Sequence, residues 1–155
     1  MKLLEPNKIL KESKELTDVK NIDYKTLNKM IDLGKANNGI AIAAPQVGIF
    51  KKFFISFVNL VTEGMSPTLY VNPYCEKTEN SKEIDSEEGC ISYNLGKDKY
   101  IVSRYDIIKA SWDFFDDNSN LVRFEHEIKG DYSIIFQHET DHLYGITIAS
   151  KGNKI

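Results

Sequence analysis

The chain has 155 residues, 41% hydrophobic and 28% charged, with a net charge of −3, two cysteines and three histidines. That length supports one core and a single domain over residues 1–155, undivided by repeats or low-complexity stretches, and the acidic balance argues against nucleic acid as the main partner. MKLLEPNKILK meets Glu5 and Pro6 before an apolar core can form, which argues against a signal peptide. With no membrane-spanning segment and two cysteines, the expectation is a cytosolic protein with reduced thiols and no membrane partner.

The first predicted element is a helix over residues 23–35, with Leu27, Met30 and Ile31 on one face and Gly39 beyond its end. GIAIAAPQVGIF follows, broken by Gly39, Pro45 and Gly48 into a loop whose one polar side chain is Gln46. That amide either satisfies nearby backbone groups in a buried turn or donates a hydrogen bond to a substrate. Strands are predicted at 51–58 and 68–73, the second ending at a proline turn just before Cys75, which reads as a packing thiol. Cys90 lies in SEEGCISYN, after Glu87, Glu88 and Gly89, and is either a core thiol or a metal ligand.

The run 100–115 is too long for one straight strand and is expected to bend or break. A last long strand covers 121–128, where His126 shares a face with Val122, Phe124 and Ile128 and is either buried with a satisfied ring or near a sheet edge; its expected role is structural. QHETDHLYG then places His138 and His142 four apart on one helical face beside Glu139, an arrangement suited to activating water at a metal. Asp131 after Gly130 is the expected N-cap, Gly145 the stop, and Ile134 and Ile135 lie one turn before the histidines. A strand is expected over 146–149.

The segment after His142, LYGITIASKGNKI, holds no His, Cys, Asp or Glu, so a third metal ligand must come from upstream. A zincin-type protease usually takes that ligand from downstream, which counts against it. A closed structural site would need a fourth ligand, for which Cys75 and His126 are the candidates. The overall pattern is α+β.

GIAIAAPQ, EGCIS and QHETDH, in that order, resemble the three motifs of the peptide deformylases. The resemblance runs from about residue 4 to about residue 148. It implies antiparallel or mixed β-sheets packed around a central helix carrying the His-Glu-x-x-His motif, with a helix near the N-terminus. It further implies Cys90, His138 and His142 as ligands of one divalent metal, Fe(II) in the cell, with Zn(II), Ni(II) or Co(II) able to stand in. Glu139 becomes the general base and later acid, Gln46 and the Ile91 amide the oxyanion hole, and Glu88 the partner of an arginine, for which Arg104 is the candidate. The implied reaction is hydrolysis of the N-formyl group from formylmethionyl peptides or nascent chains, releasing formate, in the cytoplasm of a bacterial or phage-infected cell. Gly39, Ile40, Gly89, Ile134 and Ile135 are the implied substrate-binding residues, with Ile40, Ile134 and Ile135 around the methionine side chain.

The chain departs from the family pattern at Ala41, which adds a methyl group near the implied path of the substrate backbone, and at Ile91, whose role rests on its backbone amide. YNLGKDKY after Ser92 also differs and leaves the cleft's rim open. The short tail resembles that of phage-encoded members and speaks against ribosome docking through a C-terminal helix. The expected state is a monomer.

Overall fold

The computed structural model describes residues 1–155, apart from the side chain of Val19. Its elements are α1 (Tyr24–Ala36), β1 (Ala41–Ala43), β2 (Phe53–Ser56), β3 (Thr68–Lys77), β4 (Glu83–Gly89), β5 (Lys99–Tyr105), β6 (Ile107–Phe115), β7 (Leu121–Lys129), α2 (Gly130–Leu143), α3 (Ile148–Lys151) and β8 (Asn153–Lys154). One sheet runs β1-β2-β3-β6-β7 and the other β4-β5-β8, with antiparallel pairing throughout. The fold is α+β, as the sequence pattern indicates.

Strand alternation distributes the core. In β2 all four side chains are buried, and successive residues point to opposite faces. Phe54 joins Tyr70, Trp112 and Phe136 under α2, while Phe53 and Ile55 join Leu16, Met30 and Val71 beneath α1. Phe54 and Tyr70 stack at 4.8 Å, and Phe136 meets them edge-on at 5.5 and 5.7 Å, a preferred aromatic geometry. The Tyr70 hydroxyl accepts the Leu60 N–H at 3.0 Å, so this polar atom is satisfied inside the cluster.

Helix α1 begins where expected, with the Asp23 carboxylate accepting the Thr26 N–H at 2.6 Å. Helix α2 starts differently: Lys129 occupies the N-cap without a side-chain bond, and Asp131 sits in the first turn. Gly130, at φ +61°, turns the chain into the helix one residue earlier than the predicted cap. Gly145, at φ +73°, ends that helix against the Lys11 backbone, where a Cβ would lie 2.7 Å from Lys11 N.

The predicted break in the 100–115 run falls at Asp106, between β5 and β6. Strand β3 does not stop at Pro73. It continues through a bulge to Lys77, with Asn72 at φ +46°, so Cys75 lies within the strand rather than beyond it. The tail also differs from expectation, because Thr147 caps a single turn, α3, by accepting the Ser150 N–H, and only Asn153–Lys154 pair as strand. Strand β7 is a sheet edge, and His126 is exposed there, stacked beside Phe124. Among the described residues no helix is long and apolar enough to cross a membrane.

Phe136→Ala removes the ring on which three core aromatics converge. We expect it to cost about 3–5 kcal/mol of unfolding free energy, measured by urea denaturation; a loss below about 1 kcal/mol would contradict this account of the core.

Candidate metal centre and cleft

Helix α2 is held by polar contacts as much as by its apolar face. Gln137, immediately before the histidines, accepts the Tyr105 N–H at 3.0 Å and donates to the Tyr105 carbonyl at 2.8 Å. Ser133 donates to the same carbonyl at 2.8 Å. These bonds fix the helix against the β5–β6 corner and aim His138, Glu139 and His142 at the end of β4.

Cys90 directly follows β4. Its sulfur lies 3.4 Å from His142 Nε2, and potential donor atoms of Cys90, His138 and His142 all fall within 4.8 Å of one another. Among the described residues Cys75 and His126 are outside this group, so neither supplies a fourth ligand. Burial opposes charge on Cys90, but His142 and His138 outweigh it and hold the thiol well below its usual range. Cys75 shows the opposite outcome, because burial pushes its thiol up to about 11, as suits a packing residue.

Nδ1–H of His138 donates to the Glu88 carboxylate at 2.8 Å, so Nε2 is the ring atom left to serve as a ligand. Nδ1 of His142 and Oε2 of Glu139 are buried with no protein partner among the described residues. A thiolate, two imidazoles and unpartnered buried polar atoms together fit a divalent cation. Burial raises the carboxyl of Glu139 despite the opposing pull of His138 and His142, which suits a group that takes up and returns a proton.

Arg104 is 2% exposed and occupies an inward slot of β5, on the same face as Tyr100 and Val102. Its Nε and one terminal nitrogen donate to Glu88 at 2.8 and 2.9 Å, the pairing anticipated from sequence, and its other terminal nitrogen donates to Asp141 at 2.5 Å. Burial disfavours charge on Glu88, yet hydrogen bonds from His138 and Arg104 prevail and bring its carboxyl down to about 2.

Gln46 is buried beside Cys90. Its Oε1 accepts the Ala43 N–H at 2.8 Å, and its Nε2 donates to Ser92 Oγ at 2.9 Å and faces Cys90 Sγ at 3.4 Å. The amide satisfies the local turn and reaches the thiolate as well. The Ile91 amide donates to no protein acceptor among the described residues.

Two cavities meet at these groups. One, of about 380 Å³, is lined by Gly39, Ile40, Gln46, Gly89, Ile91 and Glu139, among others. The second, of about 340 Å³, adds Ile134 and Ile135 and shares Ile40, Gly89, His138 and Glu139. Ile40 is 58% exposed, which fits a cleft wall rather than a core position. The cleft lies between β1 and β4, each the edge strand of its sheet. Ala41 lines the first cavity but is buried. The divergent segment after Ser92 forms a turn with Asn94, Leu95 and Gly96 all at positive φ, and Leu95, 55% exposed, lines the same cavity. Sequence reasoning did not single out Leu95, Ser92 or Asp141. The only advance signal was the position of each inside or beside a motif.

A family model described as polypeptide deformylase matches residues 3–155. The chain belongs to the polypeptide deformylase family. It is 30% identical over 146 residues to the peptide deformylase of Thermotoga neapolitana, covering 91% of this chain and 79% of that one. It is 35% identical over 142 residues to peptide deformylase 1 of Clostridium perfringens, covering 90% and 88%. The crystal structure of the Thermotoga maritima peptide deformylase superposes with a TM-score of 0.78 at 28% identity, covering 97% of this chain and 95% of the other. Membership in the deformylase family makes the protein a hydrolase.

Glu88 supplies a pH test. Its carboxyl lies lower in the folded state than its ordinary 4.5, so the stability it contributes is complete above 4.5 and is lost as the pH falls towards about 2. In metal-free protein, Glu88→Gln should reduce the stability difference between pH 6 and pH 3 by up to about 2 kcal/mol, the remainder being lost only below pH 3. Identical pH slopes for variant and parent in urea titrations would refute this assignment.

Proposed function

We propose that this protein removes the formyl group from N-formylmethionyl peptides and nascent chains in the cytoplasm, hydrolysing a linear amide and releasing formate. The observation that carries the proposal is the convergence of Cys90, His138 and His142 with the buried, unpartnered Glu139 and the amide of Gln46 in one cleft.

Cys90, His138 and His142 would hold one divalent cation, with Fe(II) as the native metal and Zn(II), Ni(II) or Co(II) as replacements, a range suited to mixed thiolate and imidazole donors. Such a cation supplies a Lewis acid that lowers the pKa of water and polarises a carbonyl oxygen. Glu139 takes the proton from the attacking water as its oxygen adds to the formyl carbon, then delivers it to the departing amine nitrogen. The Ile91 amide and Nε2 of Gln46 donate to the formyl oxygen as charge develops there. For Gln46, the long 3.4 Å contact to Cys90 is the one that the substrate oxygen replaces, while the Ala43 N–H holds the amide in orientation.

The cavity walled by Ile40, Ile134 and Ile135 takes the methionine side chain. The free edge of β1, running from Gly39, pairs with the extended peptide through backbone bonds that do not depend on its sequence. Gly89 closes the other side of the cleft. A Cβ there would lie 2.6 Å from the Gly96 carbonyl oxygen, so glycine is what lets the Gly96 backbone pack this closely against the end of β4.

Metal-reconstituted protein should release formate from a formyl-Met peptide, and a chelator should abolish the reaction. Glu139→Ala should lower kcat by about 10²–10⁴-fold. Equal formate release by variant and parent, or none with any of the four metals, would reject the mechanism. Gln46→Ala should lower kcat by about 10²–10³-fold, the usual cost of an oxyanion donor; a change confined to KM would assign Gln46 to binding instead.

A further inference from the structure

The pairing of Arg104 with Glu88 leaves one contact of the guanidinium without a role. Its remaining terminal nitrogen donates to Asp141, the residue just before His142 on α2. Asp141 is in turn held through both oxygens by Lys151 of α3, at 3.3 and 3.0 Å. Two carboxylates and two cations therefore form a neutral chain that starts at the exposed Lys151 of the C-terminal turn and runs inward through Asp141 to the buried Arg104 and Glu88 beside the metal centre. Its last link is Oε1 of Glu88, which accepts from both Arg104 and Nδ1 of His138.

We propose that Asp141, steadied by Lys151, is a positioning residue for the metal centre: it anchors Arg104 so that Glu88 keeps its hold on His138. The proposal rests on reading Cys90, His138 and His142 as metal ligands. Asp141 lines the cavity behind α2 together with Cys75, Thr140 and Lys151, and is absent from the lining of the two cleft cavities. Its influence therefore passes through Arg104. Without Asp141, the guanidinium loses the contact that sets its rotation. Its whole charge also falls on Glu88, weakening that carboxylate as acceptor for the His138 N–H. Both changes loosen and weaken the same ligand.

The test uses protein loaded with Co(II), following cobalt release to excess EDTA and the visible cobalt spectrum. Asp141→Ala should release cobalt at least about tenfold faster than the parent and shift the spectrum, the range seen when outer partners of ligating histidines are removed. Asp141→Asn keeps an acceptor and should fall between the two. Lys151→Met should raise the release rate by about threefold, and Lys151→Arg should restore it. A merely structural role would lower the melting temperature of metal-free protein and leave the cobalt spectrum in place. Folded Asp141→Ala protein with release within about twofold of the parent and an unchanged spectrum would overturn the proposal. If Asp141→Ala does not fold, Lys151→Met decides by the same two readouts, and parental behaviour overturns the proposal. Parent protein that takes up no cobalt would reject the metal assignment itself, an outcome distinct from failure of the Asp141 link alone.

Discussion

A fully buried guanidinium is the constraint on which much of this structure depends. Desolvating a charge costs several kcal/mol unless ionic and hydrogen-bonding partners are supplied, and Arg104 finds them in two different elements: Glu88 near the end of β4 and Asp141 near the end of α2. Meeting that need ties the three-stranded sheet to the helix that passes between the sheets. Because Glu88 also accepts from His138, the same contacts that neutralise Arg104 orient an imidazole. Cys90, two residues beyond Glu88, is brought to 3.4 Å from His142 as a consequence.

The cleft follows from how the two sheets end. Each terminates in an edge strand, β1 on one side and β4 on the other, and α2 forms the floor between them. Unpaired backbone on a sheet edge invites association with another strand, and here the edge borders the reactive groups. In the proposed mode of binding, a peptide completes the backbone pairing and brings its formyl end against Glu139 and Gln46. The floor is polar at its centre: Glu139 is buried without a protein partner, and its carboxyl is raised by that burial. Such groups cost stability, which the aromatic cluster of Phe54, Tyr70, Trp112 and Phe136 on the opposite side of α2 offsets.

Much of this was legible along the chain. Helix α1, strand β7, the break of the 100–115 run and the helix bearing the histidines follow from the period of apolar residues, run length and flanking glycines, signals acting over a few residues. Strand β1 is only three residues long, inside a segment dense in glycine and proline, and its pairing with β2 defines it better than its composition does. Strand β4, EIDSEEG, lacks apolar alternation, because its inward positions carry Ser86 and Glu88 facing a polar centre rather than a core. The bulge at Asn72 let β3 pass a proline, and the Thr147 cap turned an expected strand into α3. In both cases a local hydrogen bond or backbone twist outweighed strand propensity.

By itself, the order of residues determined the chemical inventory: two imidazoles four apart beside a carboxylate, a thiol after Gly89 and an amide in an apolar loop. Those identities are covalent facts, and the helical spacing of His138 and His142 follows from the pitch of a single element. Only the tertiary structure decided that Cys90 rather than Cys75 meets the histidines, that Arg104 faces inward, and that Asp141 and Lys151 extend its contacts to the C-terminal turn. These outcomes join residues 10 to 52 positions apart. Long-range contacts of this kind are set by which charges must be neutralised when two sheets close on a helix, and no window of local sequence contains that condition.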